Sequence, residues 1–245
     1  MSEDGLYSVN TIFSETAGVA GNLLAFVLFV SPIPTFRRII RNQSTEQFSG
    51  LPYVYALLNC LICLWYGVPI VSSGIILIFT VNSVGAVFQL VYIVIFIRYA
   101  DKGRKIKMLG LLVAIFSVFG IVVFLSLRVF QPPNRQLFVG YLSVFSLISM
   151  FASPLFVINL VVRTKSVEYM PFYLSLATFL MSAAFFVYGL LKHDAFVSIV
   201  QFLQFTVCQW EKEKVLSGFC FRSSNPECPR FANKGDACFR MVLDF

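Results

Sequence analysis

Residues 28–67 of this chain recur, in blurred form, at residues 150–189. The offset is a constant 122 residues: Ser31-Pro32 matches Ser153-Pro154, Arg41 matches Arg163, Ser44 matches Ser166, Glu46 matches Glu168, and Tyr66-Gly67 matches Tyr188-Gly189. One register holds across two apolar stretches and the basic loop between them. The chain is therefore one structural unit written twice, and its fold has to place the two copies equivalently. In a membrane protein such a duplication points to a transporter with its site between the halves.

The solvent for this fold is lipid. Hydrophobic residues make up 58% of the 245 positions and charged residues 13%. A soluble domain of that length cannot cover so much apolar surface. Seven apolar runs occupy residues 17–36, 51–71, 75–97, 108–127, 137–162, 170–191 and 195–210. The first six reach the ~20 residues a spanning helix needs, and the seventh lies near the lower end of the ~17–25 range. Strand-like alternation is absent from the runs, and only helices or closed barrels satisfy their backbone groups in lipid. The expectation is an all-α integral membrane protein with seven transmembrane helices. No basic stretch and small-residue cleavage site mark the first run as a signal peptide, so it reads as a retained helix.

The net charge of +7 is carried by loops, which argues against a nucleic-acid surface and instead sets orientation. Arg37, Arg38 and Arg41 follow the first run, Arg98, Lys102, Arg104, Lys105 and Lys107 the third, and Arg163 and Lys165 the fifth. The alternate loops hold only Arg128, Arg135 and Lys192. By the positive-inside rule the amino terminus is non-cytosolic and the carboxyl tail cytosolic. The Asn42-Gln43-Ser44 sequon then faces the cytosol and is expected to stay unglycosylated. Both repeats put their basic loop on the same side, so they run in parallel, and one extra crossing must separate them. The organisation expected is a first three-helix repeat at 16–100, an inverted linker helix at 101–135, a second repeat at 136–210 with a shortened third helix, and a cytosolic tail at 211–245.

Chemistry-bearing groups are scarce in the apolar runs. The first six hold no Asp, Glu, Lys, Arg or His, which excludes the carboxylate pairs, Ser/His pairs and metal clusters of an intramembrane enzyme. His193, beside Lys192 and Asp194 at a helix end, reads as a solvated loop residue. Cys60 and Cys63 lie inside the second apolar run, and Cys208, Cys220, Cys228 and Cys238 are too widely spaced for a metal knuckle, so no metal and no cofactor is expected. Without a titratable relay in the membrane, an uncoupled facilitator of a neutral polar solute fits best. Asn82, midway along the third run, offers two donors and an acceptor. On position alone a solute contact and an interhelical hydrogen bond fit it equally well. Pro32 and Pro154 are repeat mates inside apolar runs and predict a bend at the same depth in each half.

The segments Leu28-Phe29-Val30-Ser31-Pro32, Ser44-Thr45-Glu46-Gln47-Phe48-Ser49-Gly50-Leu51-Pro52, Leu57-Leu58-Asn59-Cys60, Trp65-Tyr66-Gly67, Ala152-Ser153-Pro154-Leu155, Lys165-Ser166-Val167-Glu168-Tyr169-Met170-Pro171-Phe172 and Val187-Tyr188-Gly189-Leu190 resemble the plant SWEET sugar facilitators. The resemblance covers residues 16 to 199. It implies two parallel three-helix bundles joined by an inverted linker, a small neutral sugar as substrate, and homo- or hetero-oligomers with other SWEETs. It implies hinge prolines at Pro32, Pro52, Pro154 and Pro171. Asn82 matches a pocket asparagine, and Cys63 and Phe185 match the pair that sandwiches the sugar. Tyr66 and Asp194 match the gate on the non-cytosolic side. Leu28 and Met150 match positions that set sugar size, and long side chains at both imply a hexose, glucose in particular. The Cys/Phe pairing resembles the branch associated with vacuolar membranes, the plasma membrane being the other expected site.

The resemblance fails after Ile199. Gln201 falls where the second pocket asparagine is expected, and Glu211-Lys212-Glu213-Lys214 ends the seventh run early. A helix of about 16 residues spans ~24 Å against a ~30 Å hydrocarbon core. The functional expectation is a facilitative, bidirectional hexose transporter working by alternating access. The alternative is a transport-impaired subunit that regulates intact relatives. An amino-acid carrier of the PQ-loop type is disfavoured by the Ser-Pro dipeptides at 31–32 and 153–154.

Overall fold

The computed structural model describes residues 3–46, 48–164 and 172–207, and every regular element among them is a helix. In chain order these are α1 (Glu3–Val30), α2 (Ile33–Asn42), α3 (Leu51–Tyr66), α4 (Ile76–Tyr99), α5 (Lys102–Arg128), α6 (Pro132–Thr164), α7 (Phe172–Leu191) and α8 (Ala195–Val207). Among the described residues, three helical runs are long and apolar enough to cross a membrane: Asn10–Asn42, Ile76–Tyr99 and Lys102–Arg128. Leu51–Tyr66, Leu176–Leu191 and Ala195–Val207 are shorter apolar helices.

α5 shows most plainly what surrounds the fold. Its buried residues Met108, Ile115, Val122 and Ser126 form one narrow seam, while Ile106, Val113, Ile121 and Phe124 are all more than half exposed. A surface helix of a soluble protein turns a polar face outward. This one is apolar all round, which suits a lipid neighbour.

The first apolar run departs from expectation by starting at Glu3 and by breaking at Ser31-Pro32. Pro32 and Pro34 both lack an N–H, so the carbonyls four residues earlier lose their helical donors. The structure replaces one of them: Ser31 donates to the Leu28 carbonyl from its hydroxyl at 2.8 Å and its amide at 3.3 Å. At the neighbouring position, the Tyr92 hydroxyl on α4 donates to the Phe29 carbonyl at 2.6 Å. Tyr92 is itself held by stacking on Phe36, with ring centroids 4.5 Å apart. The matching bend expected at Pro154 is not found as a break, because α6 runs through it. The second half has one proline here, Ser153-Pro154-Leu155-Phe156, where the first has two. A single proline costs a helix one hydrogen bond and is tolerated in membrane helices.

α1 lies against α4 and α7, and α3 against α4 and α6, so α1·α7 and α3·α6 join the two halves. α5 packs on α3, α4 and α6. One buried cluster, with Phe36, Leu57, Tyr92, Ile93 and Phe96, sits within the first half towards its basic loops. A second, with Ala25, Tyr66, Val81, Val139, Phe185 and Tyr188, lies between the halves near the opposite end. Gly67 and Gly189, repeat mates, end α3 and α7 where the following helix folds back. A Cβ on Gly67 would lie 2.6 Å from the Phe79 backbone nitrogen, and one on Gly189 2.9 Å from that of Ser198. Neither position has room for a side chain.

Candidate functional site

A cavity of about 250 Å³ lies between the halves. α1, α3, α4, α6, α7 and α8 all contribute to its wall. Leu28, Cys63, Asn82, Phe185 and Gln201, five residues singled out from the sequence, line it together. Among the described residues no carboxylate, ammonium, guanidinium or imidazole lines it. Phe185 is buried against Gly21, whose missing side chain makes space for the ring; a Cβ there would fall 2.8 Å from it. Asn82 donates one amide hydrogen to the Ile78 carbonyl at 2.8 Å, which anchors the side chain to its own helix. Across from it, Asn59 Oδ1 accepts from the Ser146 hydroxyl at 2.8 Å, tying α3 to α6 inside the cavity, with the Cys63 thiol 3.8 Å from the same oxygen.

Tyr66, in the cavity wall, is hydrogen-bonded to Asp194. Local backbone geometry delivers this residue. α7 ends in a Schellman turn: His193 takes the left-handed conformation (φ 53°), its N–H bonds the Leu190 carbonyl, and the Asp194 N–H bonds the Gly189 carbonyl. Asp194 then caps α8, its Oδ1 accepting the Val197 N–H at 3.0 Å. The same carboxylate meets the Tyr66 hydroxyl at 2.9 and 2.8 Å, the Ser72 hydroxyl at 3.3 Å and the Gln136 amide at 3.4 Å. A buried carboxylate needs this many donors to offset its lost hydration. His193 itself is exposed, and its neighbour Lys192 pairs with Glu15 at 2.7 Å.

At the basic end, Arg38 and Asn42 bind Glu46 at 2.8 and 2.6 Å. Arg104, from the start of α5, donates to the Glu46 carbonyl at 2.7 Å and the Thr45 hydroxyl at 3.2 Å. The Asn42 amide and the Arg38 guanidinium hold the Glu46 carboxyl below its ordinary value.

The remaining expected residues divide. Pro32 stands at the break between α1 and α2, and Pro52 in the first turn of α3. Pro154 and Met150 are on α6, with side chains outside the described residues, and Pro171 lies outside them altogether. The tail at 211–245, with Cys220, Cys228 and Cys238, lies outside them as well. Cys60 and Cys63 are unpaired thiols.

Residues 15–104 and 137–210 match the family described as sugar efflux transporter for intercellular exchange. The chain belongs to this family, the SWEETs. The bidirectional sugar transporter SWEET2a of Sorghum bicolor is 66% identical to it over 183 residues, 75% of this chain and 75% of that protein. SWEET2 of Arabidopsis thaliana is 67% identical over 183 residues, 75% and 78% of the two chains. The solved structure of a eukaryotic SWEET transporter is 51% identical, with a TM-score of 0.79 over 89% of this chain and 100% of its own. The chain is thus an all-helical membrane protein of a transporter family and not an enzyme.

Several polar groups of this SWEET escaped the sequence reading. Ser72 and Gln136 join the Tyr66–Asp194 pair, and Asn59, Gln89, Ser143 and Gln204 line the cavity. Two were recoverable from the repeat. Ser72 precedes Asp194 by the same 122 residues, and Gln204 follows Asn82 by 122.

Proposed function

We propose that this SWEET carries a small neutral sugar, a hexose and in particular glucose, down its gradient in either direction by alternating access. The observation that carries the reading is the cavity between the halves, walled by amides, an aromatic ring and a thiol and free of charged side chains among the described residues. Sugar hydroxyls exchange hydrogen bonds with amides, and the ring of Phe185 offers an apolar face to the sugar. A net gain of about 0.5–1.5 kcal/mol for each neutral hydrogen bond gives affinities near millimolar from a handful of contacts. Such weak binding suits a carrier that must also release. With no carboxylate, ammonium, guanidinium or imidazole at the cavity wall among the described residues, movement follows the sugar gradient alone.

In this account seven spans form two parallel bundles. The first (16–100) holds α1 with α2, α3 and α4, and the second (136–210) holds α6, α7 and α8. α5 is the inverted linker (101–135), and the amino terminus is non-cytosolic. Asn82, Cys63, Phe185 and Gln201 hold the sugar, and Leu28 and Met150 limit its size. Tyr66 and Asp194 close the non-cytosolic side, a role supported by their hydrogen bond. Pro32, Pro52, Pro154 and Pro171 act as hinges, the break at Pro32 being the place where α2 can swing without unwinding α1. Oligomers with other SWEETs in the plasma or vacuolar membrane complete the picture.

The test is uptake of labelled glucose by a transport-deficient cell expressing this chain alone or beside a full-length relative. Saturable uptake by the chain alone supports the reading. Silence alone, with suppression of the partner's uptake, would assign the chain a regulatory role instead.

A further inference from the structure

Among the described residues, two buried side-chain oxygens have no hydrogen-bond partner: Gln89 Oε1 and Gln201 Oε1. Both residues line the cavity between the halves. Gln201 belongs to the site already described, whereas Gln89 does not. It lies on α4, seven residues beyond Asn82, and is more than nine-tenths buried. Seven residues are close to two helical turns, so Gln89 shares a face with Asn82 about 10 Å nearer the basic end.

The wall between the two amides is shaped by Gly85. The Phe29 ring and the Cys60 thiol pack onto it, so that a Cβ would come within 2.8 Å of Phe29 and 3.0 Å of Cys60. Three residues beyond Gln89, Tyr92 holds the Phe29 carbonyl beside the break between α1 and α2. Gln89 is therefore at the level of the break, past the narrowing at Gly85, and its carbonyl is an acceptor with nothing of the described protein to accept from. Burying an amide oxygen without a donor costs about 1–3 kcal/mol, and an apolar side chain of the same length would avoid that cost. The residue lines the cavity, so a turn of its amide would offer this unmet acceptor to a donor that passes.

We propose that Gln89 is a second sugar station, accepting a hydrogen bond from a sugar hydroxyl between the Asn82 level and the basic-end mouth. This rests on the sugar-carrier reading above. It adds a specificity element for the same passage: a solute must present a hydroxyl donor at two levels of α4, about 10 Å apart.

The experiment uses the full chain purified in detergent. Displacement of labelled glucose is measured with glucose and with its 2-, 3-, 4- and 6-deoxy analogues, for the wild type, Gln89→Met and Gln89→Glu. Methionine keeps the length and removes the acceptor; glutamate keeps acceptor oxygens. The proposal expects Gln89→Met to weaken glucose about 3- to 10-fold, as one neutral hydrogen bond should. It expects Gln89→Glu to recover most of that loss. It also expects at least one deoxy analogue to bind the wild type more weakly than glucose does but Gln89→Met equally, the signature of a lost hydroxyl–Gln89 pair. Wild-type binding retained by Gln89→Met, with the deoxy series unchanged, overturns the proposal while leaving the carrier reading intact. Absence of saturable glucose binding by the folded wild type overturns the carrier reading and the station with it. Should Gln89→Met fail to fold, Gln89→Asn, whose acceptor is withdrawn by about a bond length, is read by the same criteria.

Discussion

The Tyr66 hydroxyl lies 2.9 and 2.8 Å from the two carboxylate oxygens of Asp194, across the boundary between the halves. Asp194 is also the amino-terminal cap of α8, through the Val197 N–H. One side chain thus bridges the halves beside the cavity and fixes where a helix of the second half begins. In the proposed alternating-access cycle the bonds from Tyr66 and Ser72 would break while the cap moves with α8.

This division predicts a graded response at Asp194. Asparagine is as good a cap as aspartate and keeps one acceptor for Tyr66. Alanine removes the cap, worth about 1 kcal/mol, and strands the hydroxyl donors of Tyr66 and Ser72 at about 1–3 kcal/mol for each that stays buried, while Gln136 keeps the Ser72 oxygen at 3.1 Å. A water-soluble thiol reagent applied from the Tyr66 side should modify Cys63 slowly in the wild type, somewhat faster in Asp194→Asn and fastest in Asp194→Ala. Equal rates in all three would show that this carboxylate does not seal the cavity.

Gly67 should not accept even a methyl group. Its Cβ would meet the backbone of α4 rather than a side chain that can swing aside. Gly67→Ala is expected to lower the thermal midpoint of the purified protein and to cut glucose uptake at least tenfold. Gly103→Ala, at an open position on α5, serves as control and should change neither.

Tyr92→Phe tests the break between α1 and α2. The substitution keeps the ring stack on Phe36 and removes only the donor to the Phe29 carbonyl. The expected loss is about 1–3 kcal/mol, the cost of a buried acceptor left without its donor. It should appear as faster amide exchange in residues around 29–36 and as a lower thermal midpoint. An unchanged exchange pattern would mean that the break holds its shape without Tyr92.

Glu46 gives the basic end a pH dependence. The Asn42 amide and Arg38 favour the ionised carboxylate, so its value lies below the ordinary 4.5. A lowered value means the contribution is complete above the unfolded-state value and is lost as pH falls through the folded one. Wild type and Glu46→Gln should therefore differ in thermal midpoint by a small constant amount at neutral pH, and converge as the pH falls below the ordinary carboxylate range. A gap that widens on acidification would contradict the sign.

Much of this was legible in the sequence, for identifiable reasons. The 122-residue echo carries the pairing of Tyr66-Gly67 with Tyr188-Gly189, and apolar length carries the helices. Leu28, Cys63, Asn82, Phe185 and Gln201 were named through family motifs and do share one cavity. Asn59, Gln89 and Gln136 were not found, because a polar residue in an apolar run reveals its face only once helix rotation is known. Pro32 and Pro154 match in the repeat, which alone predicts equivalent bends. The unmatched Pro34 distinguishes the two, leaving α1 broken and α6 continuous. His193, read as a solvated loop residue, is exposed as expected, yet its left-handed backbone is what delivers Asp194. That role belongs to φ, which composition does not reveal.

The central claim is that a sugar crosses between the halves past Asn82, driven only by its gradient. Its most direct test is labelled glucose flux in proteoliposomes of the full chain, with the gradient imposed inward or outward, compared with Asn82→Ala. The account predicts saturable wild-type flux in both directions, unaffected by collapsing pH and voltage gradients, and at least a tenfold loss in the folded Asn82→Ala variant. Full flux through Asn82→Ala, or wild-type flux that vanishes when the pH gradient is collapsed, would contradict it.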